Sequence, residues 1–150
     1  MRRECWRSPS RRRVGVAQGG GFTLIELVAA IAIFAILMSV AIPSYRSYVV
    51  RTSREGAKAE LIELAGLQER IFLNANAYSS KMTDAYNGTA TGGLGVSSGT
   101  TRDGRYGLSV TVNGTAFTLT ATPVSNSIQS GDGNLTIDSA GRRTWGSKVW

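Results

Sequence analysis

One carboxylate, Glu26, stands five residues into the apolar run Phe22–Ile42, where Thr23 and Ser39 are the only other polar side chains. An ionised side chain at membrane depth is costly, so such a group has a partner and a task. Three small residues, Gly19-Gly20-Gly21, stand just before the run. An ordinary secretory leader is cut after its apolar part. A cut after Gly21 would instead keep the apolar part and free an ammonium on Phe22, close to the carboxylate. A local reading stands beside this one. Thr23-x-x-Glu26 is a capping-box spacing, with Phe22 and Leu27 placed as a hydrophobic staple, and Glu26 suits the positive end of a helix dipole.

A second set of side chains could bind anions. Arg102, Arg105, Arg142, Arg143 and Lys148 lie near Trp145 and Trp150. Basic residues mixed with aromatic ones suit single strands or phosphates, which makes Arg142, Arg143 and Trp145 the candidate ligand-facing residues. Arginines that keep a sheet edge from pairing give the same pattern.

Other chemistry lacks raw material. The chain has no His and a single Cys, Cys5, so His-based catalysis and zinc sites are excluded. No nucleophile motif occurs, and Gly92-Gly93-x-Gly95 has neither a preceding strand nor a following Gly-Lys-Ser/Thr. No enzyme activity, metal or cofactor is expected.

The elements that must position these residues follow from length and pattern. Phe22–Ile42 is 21 residues long, enough to cross a bilayer, which takes roughly 20. The net charge of +7 is concentrated ahead of it, where six arginines face Glu4. Without residues 1–21, eleven basic and nine acidic residues remain, a balance of +2. The leader would stay on the cytoplasmic side. Its first thirteen residues are rich in arginine, and translation starting near Val14 or Val16 would omit them.

Pro43 stands inside a helical pattern and is expected to kink it. One continuous, bent helix is predicted from about Thr23 to about Asn74. Beyond Pro43, Ala57, Leu61, Leu64, Ala65, Ile71 and Phe72 recur at helical spacing, with charges around that stripe. Arg51 and Glu55 are four apart and can pair. From Ala75 to Gly104 the periodicity fails, leaving a loop-rich connector of the kind that is functional or mobile.

Tyr106–Val112 and Thr115–Ala121 each alternate, on either side of Asn113-Gly114. A hairpin turning on those two residues pairs Val112 with Thr115, Val110 with Phe117, Leu108 with Leu119 and Tyr106 with Ala121. Pro123 ends the second strand. Leu135–Ile137 and Arg143–Trp145 read as a third and a fourth. The expected class is α+β: a long kinked helix, about 23–74, packed on an antiparallel sheet of three or four strands.

Gly21-Phe22-Thr23-Leu24-Ile25-Glu26 resembles the processing site of type IV pilins and of type II secretion pseudopilins, and Pro43, Tyr45 and Tyr48 continue the match. Leu67-Gln68-Glu69-Arg70, Asn74-x-Asn76-x-Tyr78 and Trp150 resemble minor pilins of the PilE type. The resemblance implies cleavage between Gly21 and Phe22 by a prepilin peptidase and N-methylation of Phe22. It implies that Glu26 pairs with the Phe22 ammonium of a neighbouring subunit. It divides the chain into a leader, 1–21, a membrane and filament-core helix, 22–42, and a globular part, 43–150.

The implied life of the protein starts as a single-pass subunit stored in the inner membrane. The assembly machinery then moves it into a filament with other pilin subunits, for adhesion, twitching motility or DNA uptake. DNA or a surface is the ligand an exposed face would take, and a secretion pseudopilin is the alternative. Many pilins close their C-terminal region with a Cys pair; Asp132 and Val149 stand at the corresponding places here.

Overall fold

The computed structural model describes residues 21–150. The leader up to Gly20, with Cys5 and the alternative starts, lies outside the described residues. The chain divides into two units, residues 1–39 and residues 40–150.

Of the first unit, the described part is the start of helix α1, Leu24–Ala75. Its apolar side chains have nothing against them: Leu24 is 80% exposed and Leu37 60%. The apolar window of α1 is uncovered throughout.

In the second unit α1 continues through Pro43. Proline has no N–H to give the preceding turn, and the Ser47 hydroxyl donates to the Pro43 carbonyl at 3.1 Å. Further on, Ser53, Ala57, Leu61, Leu64, Gln68 and Ile71 are buried. Their spacings of three and four keep them on one helix face. Asn76, at φ 51°, ends the helix in the left-handed conformation, its N–H bonded to the Phe72 carbonyl at 2.8 Å. That is an αL cap, a place where Asn can stand for Gly.

The helix stripe packs on a five-stranded antiparallel sheet. The strands are β1, Tyr106–Asn113, β2, Ala116–Pro123, β3, Leu135–Asp138, β4, Arg143–Trp145, and β5, Lys148–Val149, side by side in chain order. Alternation puts Tyr106, Leu108, Phe117, Leu119, Ala121, Leu135 and Ile137 against the helix as one core. A fully buried leucine such as Leu61 or Leu119 contributes about 2 kcal/mol. The expected three or four strands become five because β5 is only two residues long, too short to show periodicity.

The hairpin also differs from expectation. Val112 pairs with Phe117, Val110 with Leu119, Leu108 with Ala121 and Tyr106 with Pro123. The turn is Gly114-Thr115 and not Asn113-Gly114, because Asn113 still pairs with Ala116. Gly114 takes φ 59° at the first central position, where a type II′ turn favours Gly. The slip is two residues, so every side chain keeps its face.

The connector from Asn76 to Arg105 is closely bonded. Gly93, Leu94, Gly95 and Val96 donate to the carbonyls of Ala85, Lys81, Asp84 and Met82, and Met82 and Leu94 join the core. Gln68 fastens this segment to the helix: its Nε2 donates to the Ser79 carbonyl at 2.7 Å, and the Ser79 N–H donates to its Oε1 at 3.0 Å. Arg51 does not pair with Glu55; Glu55 bonds Lys58 at 2.9 Å.

Candidate functional site

The candidate residues fall in three places. The first is the start of α1. Phe22 is 86% exposed, and Glu26 turns back on Thr23. The Thr23 N–H donates to Glu26 Oε2 at 3.4 Å, and the Glu26 N–H donates to Thr23 Oγ1 at 3.3 Å. This is the reciprocal capping box anticipated from the spacing. Both bonds are long and exposed, so the carboxylate retains capacity for a stronger partner.

The second place is the join between α1 and the β2–β3 connection. Arg54 projects from the helix, and its Nε donates to Asp132 Oδ2 at 2.8 Å while Nη2 reaches the other carboxylate oxygen. The Tyr106 hydroxyl donates to the same carboxylate. Gln129, with no exposed surface, places its Nε2 at 2.8 Å from Asp132 Oδ2, 2.8 Å from the Tyr106 oxygen and 3.1 Å from the Val50 carbonyl. The Asp132 side chain is 5% exposed. Burial pushes its carboxyl up, but the hydrogen bonds from Arg54, Tyr106 and Gln129 outweigh this and hold it below the ordinary carboxylate range. Burial, then the carboxylate beside it, pushes the Tyr106 phenol well up. In the sequence Asp132 stands in Gly131-Asp132-Gly133, a pattern typical of turns. Its flanking Gly131 and Gly133, both at positive φ, hide an anchoring carboxylate inside a turn-like stretch.

The third place is the β3–β5 end of the sheet. The Arg54 guanidinium lies 3.8 Å from the Trp145 ring centre and Lys148 5.4 Å from it, and the Trp145 indole N–H donates to the Asp132 carbonyl. Trp145 thus belongs to the join with α1. Arg142 caps the β3–β4 turn, its Nε at 2.6 Å from Asp138 Oδ2. Asp138 also accepts from the Ala140 and Arg142 backbone, so it is a turn residue. Arg143 lies 5.4 Å from the Trp150 ring centre, and the Trp150 indole N–H donates to the Thr144 carbonyl at 2.8 Å. Arg142, Arg143 and Trp145 therefore share one end of the sheet. Arg102 stands apart, bonded to Glu63 at 3.0 Å, and Arg105 donates to Ser53 at 2.6 Å.

Comparison with known proteins fits this arrangement. Residues 43–136 match a family model described as type IV minor pilin ComP, DNA uptake sequence receptor. Residues 19–42 match the prokaryotic N-terminal methylation motif. The chain is 35% identical over 132 residues to fimbrial protein EcpC of Eikenella corrodens, covering 87% of this chain and 79% of that one. It is 33% identical over 138 residues to a fimbrial protein of Neisseria meningitidis, covering 87% and 70%. Over 89 residues it is 42% identical to the type IV major fimbrial protein FimA of Dichelobacter nodosus, covering 59% and 49%. An apolar helix start carrying the methylation motif, a second half laid on an antiparallel sheet, and these relatives agree: the chain belongs to the type IV pilin family of filament subunits.

Proposed function

We propose that the chain is a minor subunit of a type IV pilus, stored in the inner membrane by residues 22–42 and moved from there into the filament. The observation that carries this is the uncovered apolar half of α1. In water that surface would be exposed at a cost of about 25 cal/mol for every Å². Lipid covers it first, and equivalent helices of sister subunits cover it afterwards.

Cleavage between Gly21 and Phe22 by a prepilin peptidase, followed by methylation of the new amine, leaves a cation at the helix start. Glu26, held only by the exposed capping box, then pairs with the Phe22 ammonium of a neighbour. The pair removes a desolvation penalty and fixes the register between helices. The test is the mass of the subunit in sheared filaments together with the incorporation of Glu26→Val. Loss of residues 1–21 and failure of the variant to assemble are expected. A full-length mass in filaments would overturn the processing, and normal assembly of the variant would overturn the pairing.

A second reading, contact with DNA, is favoured by the match to a model described as a DNA uptake sequence receptor. Arg142, Arg143 and Lys148 are the cations it would use. Trp145 is held by Arg54 and by its bond to Asp132, so it orients this face and does not stack on bases. Gel shifts with the detergent-solubilised chain across a salt series test this. Each lost phosphate contact lowers the salt slope by about 1. The variant Arg142→Gln/Arg143→Gln/Lys148→Gln should flatten it, and affinity independent of salt would defeat the reading.

A further inference from the structure

The three turns of α1 beyond the apolar run carry an unabsorbed cluster of charge. Arg46, Ser47, Val50, Arg51 and Arg54 fall on a contiguous stripe of the helix. With Ile128 of the β2–β3 connection they line an open hollow of about 510 Å³. The hollow is built by the join described above, because Gln129 bonds the Val50 carbonyl and so sets its neighbour Ile128 beside the helix.

The three arginines differ. Arg54 is committed to Asp132. Among the described residues no carboxylate pairs with Arg46 or Arg51, and both are exposed. Tyr45 and Tyr48, each 68% exposed, occupy the same turns, and tyrosines gather where a membrane meets water. Arg46 follows Ile42, the end of the apolar run, by four positions, about one helical turn.

We propose that this hollow binds the phosphodiester headgroup of an anionic phospholipid in the outer leaflet of the inner membrane. The inference rests on the membrane-stored stage of the proposed function. Two unpaired guanidiniums offer forked donors matched to phosphate oxygens, and Val50 with Ile128 gives an apolar wall to the glycerol end. The placement also answers a charge problem. The arginines that orient the chain under the positive-inside rule lie in the leader and leave with it. Afterwards Arg46 and Arg51 are the unpaired basic side chains next to the span, on the far side, where a headgroup contact fixes helix depth until extraction.

The test uses the full mature chain reconstituted into nanodiscs of phosphatidylcholine and phosphatidylglycerol in equal parts, released gently and read by native mass spectrometry for retained lipid. Phosphatidylglycerol should be retained over phosphatidylcholine on the order of tenfold. Arg46→Gln/Arg51→Gln should lose that preference, and Lys81→Gln, a distant charge removal, should keep it. Inorganic phosphate or duplex DNA in the buffer should leave it unchanged. No preference in the wild type, equal preference in the double variant, or displacement by phosphate or DNA would each overturn the lipid assignment. Failure of the wild type to enter nanodiscs of phosphatidylcholine alone would instead overturn the membrane-stored stage, and the inference with it.

Discussion

Arg54 and Asp132, 78 residues apart in the chain, meet in a two-pronged ion pair that fastens helix α1 to the connection between β2 and β3. The carboxylate is nearly buried, and Tyr106 and Gln129 hold it as well.

Removing one side of a buried pair leaves the other charge stranded. Asp132→Ala should destabilise the globular part by about 3 kcal/mol, read by urea unfolding of the mature chain in detergent with Trp145 fluorescence as probe. Arg54→Met together with Asp132→Leu should recover part of that loss, since an apolar pair strands no charge. A double variant as unstable as the sum of the two single ones would show that the coupling is absent.

Acid should weaken the same join. The Asp132 carboxyl is depressed in the folded chain, so its contribution is fully present above the ordinary carboxylate value, near about 3.9. It is lost as pH falls through the lower folded value. Asp103 is depressed too, by bonds from Thr101 and Arg105 that outweigh its burial. Stability followed from pH 7 downward should hold until about pH 4 and then fall, with a shallower fall in Asp132→Asn. A flat profile in the wild type would contradict the geometry.

Gly92 and Gly93 should behave differently despite being neighbours. A Cβ on Gly93 would sit 2.2 Å from the Asp84 carbonyl oxygen, fixed backbone, whereas one on Gly92 would meet the Asn87 side chain, which can turn away. Gly93→Ala should cost about 3 kcal/mol, at the upper end for overpacking, and Gly92→Ala well under half of that. Thermal unfolding of the two variants separates the cases.

Gln68 is a polar residue on the buried stripe because it satisfies both backbone groups of Ser79. Gln68→Leu would leave that N–H and carbonyl without partners, at about 1–3 kcal/mol for each buried group. Hydrogen exchange should quicken at Ser79 and Lys81 more than in β2. Unchanged exchange there would show that the clasp does not hold the connector.

The periodic parts of the fold were legible in the sequence. The uninterrupted apolar run and the Ala57–Leu61–Leu64 spacing announced one helix, and Leu24–Ala75 is one helix. The alternation in Tyr106–Val112 announced a strand, but the turn carries two glycine-compatible placements, and backbone pairing at Asn113 selected the other. The join around Asp132 left no periodic signal. Arg54 looked like one more helix charge, and Asp132 lay in Gly-Asp-Gly, a stretch that reads as a turn. Only the fold brings Tyr106, Gln129 and Arg54 to it. The connector misled in another way: its many small residues suggested looseness, but they permit close backbone approach, as Gly93 beside Asp84 shows.

The only thiol in the chain, Cys5, precedes Phe22, and what ties the sheet's far connection to the rod is electrostatic. A sulfur bridge would keep the two strands of chain tethered even when denatured, whereas this fastening vanishes with each opening and must be found again. Reductants such as dithiothreitol should therefore leave the melting point of a chain cut after Gly21 unmoved, since that chain holds no thiol.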